Sequence, residues 1–452
     1  MAWLYLGLVL FVVILFFIIL KRPMYEAMFL SFLALVIATG RISSLGTYLQ
    51  QTMSSYLLFT MMAFMVFGVI VERSGIITDL LDIIVALVGK FSGGAGYVAL
   101  LAGASMGAFC GTGSGTVAAT GTFTIPAMKK TGFSAETAAV VAAAAGTLGP
   151  IIPPSAAIPV MFTMMEAVTP GYCTASQFWL FAWAVSFWLI IQRLLTLYIV
   201  IRRTHVTPIP KEERTSLRNA MRKGWKTLLL PFLMIVPFLF ANFCTDTLIA
   251  ARVGTDATQN FSTFVLLTVP CLACFVTLWL WKDKGNQITL SAVFEMIQSG
   301  ITTVAPIILM TFSGFAMGNL LNDINLAGDI VAQFQAIHVP AWAIITIAPL
   351  LFMFFGMFME SSSVYFLFGP VFIPLAVSVG INPMLAAMMV NVMCNAMGQL
   401  SPPFALCLLV AMGIAESDFK KTSIQAFFWC FTQYIVIVLM LAGILPMFGL
   451  ML

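Results

Sequence analysis

Charge is what this chain has least of. Only 8% of its 452 residues are Asp, Glu, Lys or Arg, against about a quarter in soluble domains. So few charges cannot clothe a water-exposed surface. With 61% hydrophobic residues and a mean hydropathy of +1.05, the solvent for most of that surface must be lipid. The net charge of +4 is no argument for a nucleic-acid partner; the placement of the positive charges matters more. Histidine is nearly missing. His205 and His338 are the two in the chain, and both fall between apolar runs, which leaves a membrane enzyme no histidine cluster to build on. No GxxxxGK[ST] phosphate cradle occurs, which argues against direct ATP hydrolysis. The eight cysteines are scattered. Cys271 and Cys274 form a CxxC inside an apolar run, with no second pair, and read as small packing residues. Cys173 and Cys244 fall in loops, where a disulfide is open to them. The short alternating strands of a membrane barrel are lacking too. Long continuous apolar runs stand in their place, so the fold is all-α and polytopic.

Candidate membrane segments lie at about 2–20, 24–40, 56–71, 178–201, 227–243, 261–281, 301–321 and 424–449, each near the length a bilayer requires. The first is followed, not preceded, by Lys21-Arg22-Pro23, so it reads as a retained helix rather than a cleaved leader. The stretch from Arg202 to Lys226 holds eight Lys and Arg residues; the positive-inside rule puts it, with Thr215, in the cytoplasm. Counting crossings outward from it places 244–260, with Asp246, Thr255 and Asp256, outside, and Lys282-Asp283-Lys284 inside. Lys21-Arg22, Lys90 and Lys129-Lys130 also fall inside, and both termini fall in the periplasm. Arg41 and Arg252 are the exceptions. Arg193 is read as lying near the inner end of its helix and snorkelling to the interface. Lys90 and Lys129 on one side require 94–128 to dip in and return as a re-entrant hairpin. Residues 341–378 form a second hairpin that enters from the opposite face.

The two interrupted regions repeat one spacing. Ser114 precedes Ile125-Pro126 by eleven residues, Gly132 follows, and Gly149 stands four before Pro153-Pro154. Ser362 precedes Ile373-Pro374 by eleven, Gly380 follows, and Gly398 stands four before Pro402-Pro403. The offset is 248 residues up to the Gly132/Gly380 pair and 249 beyond it. The hairpins enter from opposite faces, so this is an inverted repeat.

The chemistry belongs at the hairpin tips and helix breaks. Gly111-Thr112-Gly113-Ser114-Gly115-Thr116 lets the backbone turn sharply and offers hydroxyl oxygens. Gly149-Pro150-Ile151-Ile152-Pro153-Pro154-Ser155 cannot continue a helix, since each interior Pro costs about 3 kcal/mol. Irregular backbone at membrane depth is tolerated where it is buried in protein or lines a cavity. Unwound carbonyls and half-helix C-termini suit small cations, and half-helix N-termini suit anions. The expected Na⁺ ligands are therefore Thr112, Ser114, Thr147 and Gly149 in the first region, and Glu360, Ser361, Ser362, Asn391 and Gly398 in the second. The expected substrate contacts are Ser114, Gly115, Thr116 and Ser155, with Ser362, Asn395 and Ser401. Asn391 and Asn395 share one helix face leading to Gln399, Ser401 and Pro402-Pro403. Glu360 either supplies negative charge beside a cation or faces aqueous space.

Gly146-Thr147-Leu148-Gly149-Pro150-Ile151-Ile152-Pro153-Pro154-Ser155 resembles the signature of the large membrane subunit of TRAP transporters, the tripartite ATP-independent periplasmic family. The stretch Ile125 to Ser134, the Met359-Glu360 tip, Pro370 to Pro374 with Gly380-Ile381-Asn382-Pro383, and Gly398 to Pro403 resemble it too, so the likeness spans nearly the whole chain. It implies an inner-membrane, Na⁺-driven importer of organic acids that takes its small anionic substrate from a periplasmic binding protein and works beside a small four-helix membrane subunit. It also implies an elevator motion. Repeats 94–177 and 341–416 would form the transport domain, with scaffold segments at 1–93, 178–340 and 417–452. A standalone ion-coupled carboxylate carrier of the same superfamily is the alternative. The sequence departs from the family pattern at Gly113 and Gly115, where a serine pair is commoner, and at Phe404-Ala405, where a glycine is usual.

Overall fold

The computed structural model describes residues 2–214, 216–244, 252, 254, 256–336 and 338–450; Thr215, Asp246 and Thr255 lie outside them. The described secondary structure is helical throughout. Helices α1 (Ala2–Val13, continued by a wider turn Ile14–Ile19) and α2 (Met24–Ala38) pair, followed by the short α3 (Leu45–Met53), α4 (Tyr56–Arg73) and α5 (Ile77–Val88). Hairpin 1 is α6 (Gly94–Cys110) and α7 (Gly113–Lys130); the first broken helix is α8 (Ala135–Leu148) and α9 (Ala157–Val168). Then come α10 (Ala175–Arg203), α11 (Leu217–Gly224), α12 (Leu229–Cys244), α13 (Asp256–Asp283), α14 (Leu290–Asp323) and α15 (Leu326–Ala336). Hairpin 2 is α16 (Ala341–Gly356) and α17 (Ser361–Ser378); the second broken helix is α18 (Pro383–Val392) and α19 (Leu406–Ala415), and α20 (Phe419–Leu441) closes the chain. Both hairpins and both breaks stand where the charge count and the Gly/Pro spacing put them.

Local sequence sets the ends. Ser134 accepts from Thr137 N to start α8, Thr174 and Gln177 form a reciprocal capping box on α10, and Asn382 caps α18 with Pro383 at its first position. These are the acceptors that the free N–H groups of a first turn require. The broken helices lie innermost. Every residue of α8 from Thr137 to Leu148 is buried, as is all of α18, so neither has a lipid-facing stripe.

The hairpins open toward opposite ends of the molecule. Both feet of hairpin 1 bind the start of the basic loop: Ile209 N donates to Gly89 O at 3.1 Å, Ser92 Oγ to Val206 O at 2.7 Å, and Thr207 N to Thr131 O at 2.8 Å. At the other end Asn382 Nδ2, beyond the far foot of hairpin 2, donates to Tyr172 OH at 3.0 Å. Each hairpin seats its first arm on its own repeat's break through paired glycines. A Cβ on Gly149 would stand 2.3 Å from Gly107 Cα, and one on Gly356 would stand 2.5 Å from Gly398 Cα. Corresponding members of these pairs stand 249 apart, one more than the tips between them, so the repeat extends, with a one-residue shift in the first arm, to backbone contacts that allow no side chain.

On the basic-loop side, α5 is fastened by charge. Lys284 Nζ lies 2.7 Å from Asp79 Oδ2, and Lys223 Nζ bridges Asp79 and Asp82 at 3.3 and 3.2 Å. Hydrogen bonds from the Lys223 ammonium to these two carboxylates raise its pKa. At the other end Arg41, one of the two exceptions to the charge rule, pairs with Asp323, and Tyr48 OH donates to the same carboxylate at 2.5 Å. Cys173 is a free thiol, buried with Sγ 3.9 Å from Met165 Sδ, so the disulfide left open for it is not formed.

Candidate functional site

Each tip is a helix start, and both line one cavity. Thr112 is the N-cap of α7 and Glu360 the N-cap of α17, 248 residues apart. Glu360 Oε2 accepts from Ser362 N at 3.2 Å, satisfying a first-turn amide. Between the tips lies a cavity of about 20 Å³, lined among others by Gly111, Thr112, Glu360, Ser361, Ser362 and Asn395, with Met61 and Met65 of α4 as its apolar wall. That volume holds about one water-sized particle, which a bare Na⁺ matches and an organic acid does not.

A chain of hydrogen bonds leads away from this cavity. Ser361 Oγ donates to Asn395 Oδ1 at 2.8 Å, Asn395 Nδ2 to Asn391 Oδ1 at 2.7 Å, and Asn391 Nδ2 to Pro150 O at 3.2 Å. Three side chains thereby join the tip of hairpin 2, the second broken helix and the first break. The i, i+4 spacing of the asparagines makes their bond possible. Gln399 Nε2 adds a second tie, donating to Met359 O at 2.9 Å. Ser362 Oγ, 4% exposed at the residue level, and Ser363 Oγ have no hydrogen-bond partner. Buried hydroxyls without partners are uncommon and mark open valence.

Of the residues singled out from the sequence, Thr112, Glu360, Ser361, Ser362 and Asn395 meet at the cavity, and Asn391 stands directly behind it. The others are placed differently. Thr116 Oγ1 donates to Thr112 O at 2.6 Å and begins a ladder with Thr120 and Thr124; such back-bonding commits the proton to the helix's own carbonyls. Ser155 Oγ accepts from Ala157 N at the start of α9, and Ser401 Oγ donates to Met397 O at 2.6 Å beside Cys430. Gly149 and Gly398 are filled by their partner glycines. Gly115 is exposed, and a Cβ there would meet Thr112 Oγ1 at 2.6 Å. Ser114 is half-buried and stands outside the cavity lining. Tyr365, Ile307 and the α4 methionines line the cavity without having been singled out; being apolar or aromatic in apolar helices, they carry no sequence signal.

Arg193 is the largest correction. It does not snorkel: its relative exposure is 0%. Its Nη2 donates to Ala396 O at 2.8 Å and to Thr147 Oγ1 at 3.3 Å, and its guanidinium lies 5.6 Å from the centre of the Trp429 ring. Ten residues, about 15 Å of helix, separate it from Arg203 at the helix end, beyond the reach of a side chain. That depth was the signal in the sequence. Thr147, an expected Na⁺ ligand, accepts this hydrogen bond from the guanidinium.

A far larger cavity lies elsewhere. About 610 Å³ opens between α17 and α14 toward the end away from the basic loop, walled by Gln51, Asn319, Asn322, Thr163, Phe366 and Pro370. Its lining meets the small cavity's at neighbouring residues of α17, Phe366 and Tyr365. Phe366 is nested where Gly314 has no side chain and lies edge-on to Phe315 at 6.1 Å.

Comparison with known proteins agrees with this architecture. The chain resembles, in fold, the YdaH transporter of Alcanivorax borkumensis (TM-score 0.68, 15% identity, 90% of each chain) and MtrF of Neisseria gonorrhoeae (TM-score 0.61, 12% identity, 89% of this chain and 85% of that one). In sequence it is 24% identical over 397 residues to the C4-dicarboxylate TRAP transporter large permease protein DctM of Pseudomonas aeruginosa, covering 87% of this chain and 86% of the relative. It is 23% identical over 429 residues to the sialic acid TRAP transporter large permease protein SiaM of Vibrio cholerae, covering 94% and 92%. An isethionate TRAP transporter permease protein of Oleidesulfovibrio alaskensis is 24% identical over 90% of this chain and 60% of its own length. The family model for the tripartite ATP-independent periplasmic transporter, DctM component, matches residues 8–448. A multi-pass helical chain with paired hairpins and paired breaks, matched by that model almost end to end, belongs to the DctM family of TRAP transporter large permease subunits.

Proposed function

We propose that this subunit imports an organic acid by coupling its movement to Na⁺, with the cation held between the two hairpin tips. The observation that carries the reading is the Ser361–Asn395–Asn391–Pro150 relay behind a cavity of one cation's size, next to the Glu360 carboxylate and the unpartnered Ser362 hydroxyl. The oxygen donors Thr112, Glu360, Ser361, Ser362 and Asn395 suit a hard monovalent cation. The relatives' names cite C4-dicarboxylates, sialic acid and isethionate. All are organic anions, and a bound cation helps to offset their charge. The substrate reaches the tips through the 610 Å³ vestibule, whose amide and hydroxyl groups pass an anion without trapping it as lysines would.

In this reading residues 94–177 and 341–416 move together as an elevator past the remaining helices, the basic loop faces the cytoplasm, and both termini face the periplasm of a bacterial inner membrane. A periplasmic binding protein delivers the substrate, and a small membrane subunit completes the complex. The test is uptake into proteoliposomes holding both membrane subunits, with the binding protein outside and C4-dicarboxylates, sialic acid and isethionate as candidate substrates. Uptake driven by an inward Na⁺ gradient without ATP is expected. Full uptake in sodium-free medium under a proton gradient would overturn the coupling, and transport of free substrate by this chain alone would favour a standalone carrier.

A further inference from the structure

Arg193 has no role in the proposal above, yet it is the most costly side chain in the molecule to place. A charge in the apolar interior is unfavourable unless paired, and charges within membrane helices are functional by default. Among the described residues no carboxylate lies within ion-pair distance of it. What surrounds it is a carbonyl oxygen, Ala396 O, and a hydroxyl oxygen, Thr147 Oγ1. Thr147 belongs to the last turn of α8, and Ala396 to the π turn Met393–Met397 that ends the first half of the second broken helix. Both are helix C-termini, the negative ends of the backbone dipole. The Trp429 face supplies a third patch of negative potential.

Carbonyl, hydroxyl and two helix C-termini are the set of groups that receives a small cation at a broken helix. Nε and Nη1 of the guanidinium have no hydrogen-bond partner, so the group is seated by its charge more than by a full complement of hydrogen bonds. Its anchors adjoin the relay: Ala396 follows Asn395, and Thr147 is three residues before Pro150.

We infer that Arg193 is a tethered cation that permanently fills one cation position between the two helix breaks, and that its charge limits how tightly the tips hold the mobile one. This rests on the sodium reading. A fixed positive charge in the same interior repels Na⁺ at the tip cavity, and at the effective dielectric of buried protein sites two unit charges on the order of 10 Å apart interact strongly enough to shift an affinity about tenfold. A merely structural arginine, stapling α10 to the two breaks, would act in the opposite direction, because losing it would loosen the site and weaken cation binding.

The sign of the change is therefore the test. Binding of radiolabelled Na⁺ is measured on the purified chain in detergent, with thermal unfolding followed in parallel. Arg193→Gln keeps a donor for Ala396 O and removes the charge; it should bind Na⁺ about tenfold more tightly than the parent while unfolding at a lower temperature. Arg193→Lys keeps the charge and loses the fork; it should hold Na⁺ affinity within about twofold while its unfolding temperature also falls. Weaker or unchanged Na⁺ binding in Arg193→Gln would overturn the assignment. If Arg193→Gln does not fold, Arg193→Lys still decides, since Na⁺ affinity falling in step with its stability would mark a structural staple. A parent chain that binds no Na⁺ refutes the sodium reading and this inference with it, whereas a Na⁺-binding parent with an unmoved Arg193→Gln refutes this inference alone.

Discussion

At the tip of hairpin 1 the chain reads Gly111-Thr112-Gly113-Ser114-Gly115, and at the corresponding positions of hairpin 2 it reads Met359-Glu360-Ser361-Ser362-Ser363. The backbones match, with an N-cap 248 residues apart and a second arm of 18 residues in each. The surroundings do not. A Cβ on Gly113 would meet Cys407 Sγ at 2.8 Å, and one on Gly115 would meet Thr112 Oγ1 at 2.6 Å, so the glycines of the first tip let it press against its neighbours. Ser361 and Ser362 of the second tip line the cavity, and Ser361 joins the asparagine relay. Pseudo-symmetry thus constrains the path of the chain and leaves the ligands free to diverge. In this protein the second tip carries the polar chemistry, and the first supplies a close-fitting wall.

The comparison can be broken most severely at the breaks themselves. Pro153-Pro154→Ala-Ala and Pro402-Pro403→Ala-Ala should each insert at normal abundance, since alanine is the better helix former, and each should reduce Na⁺-driven uptake to background. A double-alanine protein that transports like its parent would remove the breaks from the site. Next in size is the glycine seam. Gly149→Ala places a Cβ against three backbone atoms at 2.3, 2.5 and 2.9 Å, whereas Gly398→Ala meets one at 2.9 Å. The first should cost about 3 kcal/mol and the second about 1, read as unequal drops in unfolding temperature. Equal drops would mean that the two seams are equivalent after all.

A smaller effect separates the tips chemically. Glu360→Gln removes the ionisable carboxyl at the cavity and should raise the half-saturating Na⁺ concentration for uptake about tenfold, while Thr112→Val at the matching N-cap should raise it no more than about twofold. The smallest contrast is between the paired serines. Ser362→Ala should weaken Na⁺ activation by about threefold, the scale of one modest hydrogen bond. Ser114→Ala, which alters no cavity lining, should leave it within error. A larger effect at Ser114 than at Ser362 would reverse the assignment of tips.

Most of the fold could be read from the sequence because its determinants are one-dimensional. Lys and Arg positions fix which runs return to the same face, and Gly and Pro fix where helices end. The site was legible as far as the helical phase could be followed. Asn391 lies in the last turn of a regular helix and Asn395 in the π turn that continues it, and their i, i+4 contact held. Phase is lost across irregular turns: Ser155 follows a 3₁₀ turn, and Ser401 follows a π turn and a 3₁₀ turn, so their facing could not be counted from the helix before. Arg193 was misread for another reason. Its partners, Thr147 and Ala396, come from elements far apart in the chain, so no local pattern names them, although its distance from Arg203 at the helix end marks its depth.

The two repeats are also interleaved. The Gly113 backbone packs against Cys407 of α19, and Pro150 O accepts a hydrogen bond from Asn391 Nδ2 of α18, so each half completes its packing only with groups from the other. For a chain made from its N-terminus, the first hairpin and break reach the bilayer more than two hundred residues ahead of the segments that cover them. Biosynthesis must therefore hold an uncovered Gly/Pro-interrupted segment in the membrane until the second half arrives. The two halves expressed as separate polypeptides should accumulate only when made together.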